Sequence, residues 1–147
     1  MAARDEEKFQ RFLRDEEAAL EELRRFVGGQ VGNRLDGSGQ SLSVLDEFLE
    51  ALITHPSWES DPLFEGMRIR TWLTVRLAYY FGLFLRKEYG TEWRLSADPG
   101  SPALETPVIK VGEIEIRPLE IASEHLAGAV DGGFSGVARD LRTLVAS

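Results

Sequence analysis

The sequence contains no cysteine and only two histidines among its 147 residues. The absence of cysteine excludes disulfides, thiolate metal sites and a cysteine nucleophile, and it is compatible with a reducing cytosol. The histidines, His55 and His125, are not spaced four apart as in zinc proteases, and neither completes the Glu-x-x-His pattern of di-iron bundles. We therefore predict that the protein holds no metal and needs no cofactor.

Positive charge is scarce as well. The chain has 17 Lys and Arg against 25 Asp and Glu, a formal net charge of -8 and a sequence pI of about 4.8. Binding to phosphates or to anionic lipid requires a basic face, so we predict neither a nucleic-acid partner nor a membrane partner. Residues 1–7 are charged and lack the apolar region of a secretory signal, which favours a cytoplasmic location.

Catalytic motifs are also lacking. The Gly-x-Ser-x-Gly elbow, the Walker motif and the dinucleotide-binding glycine pattern do not occur. Ser38 and Ser135 have glycine neighbours, but each precedes helical sequence and is expected to cap a helix. Carboxylates are numerous enough that a glycosidase-like pair is not excluded by counting, although those of the N-terminal helix suit a solvated face. We predict a protein without catalytic activity of its own.

The longest apolar segment is 71–85, whose side chains are apolar on nearly every side of a helical wheel. Such a pattern is typical of a helix enclosed by other elements. Arg76 in its middle and close flanking charges distinguish it from a membrane span. We predict one helix over residues 62–89, begun by Asp61-Pro62, with Gly66 and Gly82 as the points where the helix either kinks or admits a close neighbour.

Two amphipathic helices precede this segment. Residues 4–27 form the first, and Gly28-Gly29 ends it, followed by a glycine-rich loop over 30–39. The second helix spans 40–54, with Ser38 or Ser41 as its cap. Its solvent face carries Asp46, Glu47 and Glu50. The apolar stripe of the first helix consists of Phe9, Phe12, Leu13, Leu20, Leu23, Phe26 and Val27.

After Gly90 the hydrophobic period changes to two, which predicts a strand containing Trp93 and Leu95. Residues 97–107 hold three prolines and are interpreted as an irregular connection. Segments 108–111 and 114–116 flank Gly112-Glu113 as a type II′ hairpin. A fourth helix then begins at Pro118 and ends at Gly132-Gly133, and Ser135 caps a fifth.

The predicted fold class is α+β, a helical layer of three helices packed on a small antiparallel three-stranded sheet, with two C-terminal helices. The length suits one domain over 1–147. Within it, residues 1–29 are the amphipathic N-terminal helix and residues 38–147 the helix-helix-sheet-helix core.

Residues 38–130 contain three further motifs. They are Ser41-Leu42-x-x-Leu45-Asp46-x-Phe48-Leu49, Tyr80-Phe81-Gly82-x-x-Leu85-Arg86-x-x-Tyr89-Gly90-x-x-Trp93, and Val111-Gly112-x-Ile114-x-Ile116-x-Pro118. Together these motifs resemble a family of small bacterial α+β domains of unknown function. The resemblance implies a helix with a central glycine, a tryptophan-bearing strand, a hairpin and a proline-started helix, and it implies no active site.

Two functions are compatible with these patterns. The first is a non-catalytic protein-binding module, such as an immunity protein, an antitoxin or an adaptor, which presents an acidic surface to a basic protein partner. The predicted partner-binding residues are Asp15, Glu16, Glu17, Glu21 and Glu22.

The alternative is a small-ligand-binding or enzymatic domain with a pocket around helix 62–89 and the 97–107 segment as its lid. Arg76 would either pair with a carboxylate inside the protein or face the ligand. The predicted ligand-binding residues are Trp72, Arg76, Tyr79 and Tyr80.

The apolar stripe of the N-terminal helix is too large to leave in water. We predict that this helix docks on its own domain, which gives a monomer. Docking on a second copy, which gives a homodimer, is the alternative.

Overall fold

The fold is described from a computed structural model, which defines residues 2–55, 58, 68–95 and 107–146. Within these ranges the chain forms six α-helices and one three-stranded antiparallel sheet, which confirms the predicted α+β class. The elements are α1 (Ala2–Val27), α2 (Gly29–Asn33), α3 (Gly39–Ile53), α4 (Ile69–Tyr89), β1 (Trp93–Leu95), β2 (Pro107–Val111), β3 (Ile114–Ile116), α5 (Pro118–Leu126) and α6 (Gly133–Ala146).

Helix α4 lies at the centre of the core. Its buried side chains occur on nearly every face, as its apolar sequence predicts. Five aromatic residues and one leucine of α4 and β1 lie in one buried cluster, together with residues of α1, α3, α5, α6 and the rest of the sheet. These six residues are Trp72, Leu77, Tyr80, Phe81, Phe84 and Trp93.

The predicted start of this helix is wrong. Arg68 has extended backbone angles, with φ −72° and ψ 144°, so α4 begins at Ile69. The predicted Asp61-Pro62 start and Gly66 lie outside the described residues. At the other end Gly90 adopts the left-handed conformation, with φ 65°, and its N–H bonds to the Arg86 carbonyl.

The predicted loop over 30–39 is wrong in its first part, because residues Gly29–Asn33 form the short helix α2. Gly32 is packed so closely on the last turn of α1 that a Cβ there would overlap the carbonyl oxygen of Arg24. Arg24 Nε donates to the carbonyl of Leu35 over 3.0 Å. Gly32, one of the glycines that indicated a loop, instead allows α1 and α2 to approach closely.

Helix α1 packs on α4 of the same chain, which confirms the predicted intramolecular docking. The Phe12 ring stacks on Tyr79 with 4.3 Å between centroids, and the Phe26 ring lies 5.3 Å from that of Trp72. Leu23 is fully buried between these contacts. The alternative of a homodimer through the same stripe stays a prediction.

The sheet has the order β1-β2-β3, with Trp93 opposite Ile109 and Ile109 opposite Ile116. The hairpin is confirmed, with a two-residue loop that begins at Gly112, whose φ is 61°. Pro107, predicted to lie in the irregular connection, is the first residue of β2. The rest of that connection lies outside the described residues.

The sheet reaches α4 at Gly82, where the Trp93 ring lies against the helix backbone. A Cβ at position 82 would overlap Cζ2 of that ring and lie 2.6 Å from Cη2. The prediction of a close neighbour at Gly82 is therefore confirmed.

Replacement of Gly82 by alanine should lower the free energy of unfolding by about 2 kcal/mol, because the clash outweighs the better helix propensity of alanine. Gly39→Ala is the matched control, since its Cβ would meet Phe84 Cε1 at an ordinary 3.6 Å. Urea denaturation measures both variants. Equal stability of the two would show that the Trp93 contact does not constrain position 82.

The boundaries of the C-terminal helices differ from those predicted. Pro118 begins α5 as expected, but the helix ends at Leu126, and Gly128 with φ 75° follows it. Helix α6 begins at Gly133, so Ser135 lies in its first turn and is not its cap.

Across the described ranges, no helix combines the length and the apolarity that crossing a membrane requires.

Candidate functional site

The four side chains predicted to bind a ligand are occupied by contacts within the chain. Arg76 Nη2 donates to Glu22 Oε1 on α1 over 3.0 Å, and the guanidinium lies 4.5 Å from the centroid of the Trp72 ring. Arg76 Nη1 also donates to the Trp72 carbonyl over 3.3 Å. The predicted pairing of Arg76 with a carboxylate is thus confirmed.

Tyr79 and Tyr80 point to different sides of α4. The Tyr79 hydroxyl donates to the Phe12 carbonyl on α1 over 2.7 Å, whereas the Tyr80 hydroxyl bonds to Ser41 Oγ at the start of α3. Burial raises the pKa of both hydroxyls, so both stay protonated at neutral pH. Because the two tyrosines face different helices, the four predicted side chains do not line one pocket.

The five carboxylates assigned to partner binding on α1 do not form one solvent face, and for Glu16 that interpretation is wrong. Its carboxylate lies 2.6 and 2.7 Å from Arg86 Nη1 and accepts from Trp93 Nε1 over 2.8 Å. Glu22 is held by Arg76, as described above. These two side chains attach α1 to α4 and the sheet.

The remaining three carboxylates, Asp15, Glu17 and Glu21, are exposed. Glu21 makes ion pairs with neighbouring arginines of its own helix, at 3.6 and 3.8 Å. The exposed face of α1 also carries basic side chains, so its charge is mixed rather than acidic. These basic residues are Lys8, Arg11, Arg14 and Arg25.

A more uniformly acidic surface lies between α3 and the connection of α5 to α6. It is a cleft of about 390 Å³. Its lining includes three carboxylates, and no lysine or arginine is among the residues that line it. The lining residues are Asp46, Glu50, Ile53, His125, Gly128, Val130, Asp131, Gly132 and Gly133.

Asp46 organises this cleft. One carboxylate oxygen lies 2.9 Å from His125 Nε2 and 2.9 Å from the Phe134 backbone nitrogen, and the other lies 2.9 Å from the Ser135 backbone nitrogen. Burial acts to raise the pKa of the Asp46 carboxyl, but the hydrogen bonds from His125, Ser135 and Phe134 outweigh burial and hold that pKa below its ordinary value. The ionised carboxylate only accepts, so Nε2 of His125 carries the proton of their hydrogen bond.

The start of α6 can meet this carboxylate only because residue 133 is glycine. Gly133 has φ 62°, and a Cβ there would lie 2.6 Å from Asp46 Oδ1 and 2.9 Å from His125 Nε2. Asp46 thereby takes the place of an N-cap for α6, although it belongs to α3.

Sequence reasoning missed this role, because it placed Asp46 on the solvent face of its helix. The sequence nevertheless contains a signal that α6 lacks a cap of its own. The sequence before α6 offers the glycines Gly132 and Gly133, where Ser, Thr, Asp or Asn would supply a local cap. The N–H groups of such a helix need an acceptor from elsewhere in the chain.

The arrangement of Ser135, Asp46 and His125 is not that of a catalytic triad. The backbone N–H of Ser135 donates to the Asp46 carboxylate, which lies between the serine and the histidine, and the Ser135 hydroxyl lies 3.1 Å from the hydroxyl of Ser43. Nucleophilic catalysis requires the imidazole in that middle position, where it accepts the serine proton. The cluster therefore joins helices rather than activating a nucleophile.

In the described ranges, no three His, Asp or Glu side chains come together in a way that could hold a metal ion.

Comparisons with protein-family models, with curated proteins and with solved structures gave no match to this chain. The resemblance to small bacterial α+β domains stays a prediction from the sequence motifs.

Proposed function

We propose that this chain is a non-catalytic protein-binding module, and that its binding surface is the acidic cleft between α3 and the α5–α6 connection. The observation that carries the proposal is the charge of the lining, which combines Asp46, Glu50 and Asp131 with no lysine or arginine. Uniform negative charge in a concave surface attracts cationic groups and steers their approach.

The expected occupant is a lysine or arginine side chain of a partner protein. Glu50 and Asp131 are exposed, so their carboxylates are open to a charged head group. Ile53 and Val130 are partly buried in the same cleft and offer apolar contact to the methylene stem. Immunity proteins, antitoxins and adaptors all fall within this class of function.

The hydrogen bonds of one wall support a recognition role. Asp46 bonds to the first turn of α6 and to the His125 ring, so the cleft is already formed in the chain without a partner. Preformed sites bind more tightly, because less conformational entropy is lost on association.

Selection from a random peptide library, with the whole chain as bait, tests the proposal. We expect the enriched peptides to contain lysine or arginine, and to bind the double variant Glu50→Gln/Asp131→Asn at least about tenfold more weakly. The matched control is Asp15→Asn/Glu17→Gln on α1, which removes the same number of negative charges and should leave affinity near that of the parent. Peptides without basic residues, or equal losses in both double variants, would contradict the proposal.

A further inference from the structure

Helix α6 is attached to the rest of the protein by few buried side chains. Its apolar anchors are Phe134, Ala138 and Leu141, all in its first nine residues. The described side chains beyond Leu141 are exposed, and Leu144 retains 61% of its accessible surface. In contrast, α4 is buried on nearly all sides.

The N-terminal end of α6 is held by one carboxylate from another helix, and the Ser135 hydroxyl also lies 3.1 Å from that of Ser43 on α3. Phe134 and Ser135 donate their backbone N–H groups to Asp46, which also bonds to His125 of α5. A negative charge at this end of a helix complements its unpaired N–H groups and its dipole.

Other charged groups surround the same carboxylate. Glu50 of α3 and Asp131 of the connection line the cleft beside it. Arg139 of α6 extends over Gly132 and Gly136, next to the first turn of the helix.

We propose that α6 is a latched arm, which undocks as a unit while the rest of the protein stays folded, and that the Asp46 carboxylate is the latch. Elements with few buried apolar contacts open at lower free energy than the core. Undocking would separate Phe134 from Phe81, whose rings are stacked at 5.1 Å.

The arm would also control the cleft, since Gly132 and Gly133 form part of its lining. This consequence rests on the proposed binding function, whereas local undocking does not. In the undocked state one wall of the cleft is lost, so a bound partner would favour the docked arm by mass action.

Amide hydrogen exchange read by mass spectrometry tests the latch on the full chain without any ligand. At neutral pH we expect Asp46→Asn to accelerate exchange over residues 134–145 at least about tenfold, while α4 keeps the protection of the parent. Glu47→Gln, at an exposed neighbouring position on α3, should leave both regions unchanged.

A second variant, Leu141→Ala, weakens the apolar anchor of α6 without touching the carboxylate, and it should also accelerate exchange in α6 alone. Equal loss of protection in α4 and α6 in either variant would show that α6 unfolds only with the whole protein and would overturn the proposal. Unchanged exchange in α6 of Asp46→Asn would overturn the role of the carboxylate. Because no ligand is added, these outcomes are independent of the peptide selection.

Discussion

Replacement of Phe81 by alanine should lower the free energy of unfolding by about 3–5 kcal/mol. Phe81 is fully buried, and its ring stacks on Phe84 of the same helix, at 5.9 Å, and on Phe134 of α6, at 5.1 Å. The substitution removes a whole aromatic ring from the place where α4 and α6 meet, and the cavity that remains adds to the lost transfer free energy.

Urea denaturation measures this loss, and Leu144→Ala provides the comparison. Leu144 is 61% exposed, so its truncation should change the free energy of unfolding by no more than about 0.5 kcal/mol. If Phe81→Ala unfolds at the same urea concentration as the parent, then the core is not centred on α4.

Replacement of Glu16 by alanine should cost about 3 kcal/mol, because it leaves the Trp93 indole N–H without its acceptor and leaves the partly buried Arg86 guanidinium with only the exposed Glu92, 3.3 Å from its Nε. The pair is partly shielded from solvent, with 16% of the Glu16 side chain and 25% of the Arg86 side chain exposed. The remaining exposure screens the charge, which keeps the expected loss at the lower end of the range for buried pairs.

Glu17→Ala is the matched control for this prediction, because Glu17 is the exposed neighbour on the same helix. Glu16→Gln should fall between the two variants, since the amide can still accept from Trp93 but carries no charge. Thermal or urea unfolding measures the loss of stability in each variant. Equal losses in the free energy of unfolding for Glu16→Ala and Glu17→Ala would show that Glu16 does not attach α1 to the rest of the protein.

The apolar part of the fold could be predicted from the sequence. The continuous apolar surface of segment 71–85 indicates a central helix, and the Val-Gly-Glu-Ile pattern at 111–114 indicates a hairpin. Hydrophobic period and turn residues are local signals, and they give the correct elements wherever burial decides the structure.

The polar part of the fold could not be predicted, because its partners lie far apart in sequence. Glu16 and Arg86 are separated by 70 positions, and Asp46 and His125 by 79. Periodicity places a carboxylate at the edge of an apolar stripe, but it does not say which donor on another element will reach it. Glu16 and Asp46 were therefore both interpreted as solvent-exposed.

Helix boundaries in glycine-rich segments were the other source of error. Between residues 126 and 136, glycine occurs at positions 128, 132, 133 and 136, and any of these could end a helix. Tertiary packing makes the choice, because Gly133 is needed where α6 meets Asp46, whereas Gly128 ends α5.

These differences between prediction and structure change which surface we propose for binding a partner. The sequence alone favoured the carboxylates of α1, but Glu16 and Glu22 attach that helix to α4, and basic side chains share its exposed face. The cleft beside Asp46 is lined by three carboxylates and by no lysine or arginine, so we assign the proposed recognition of a basic side chain to it.

The most direct test of this assignment is a nuclear magnetic resonance titration of the ¹⁵N-labelled chain with an enriched basic peptide. We predict that the largest changes in amide chemical shift occur in residues 46–53 and 128–133, on the two walls of the cleft. Changes confined to residues 15–22 of α1, with the cleft unaffected, would contradict the assignment and return the binding surface to the N-terminal helix.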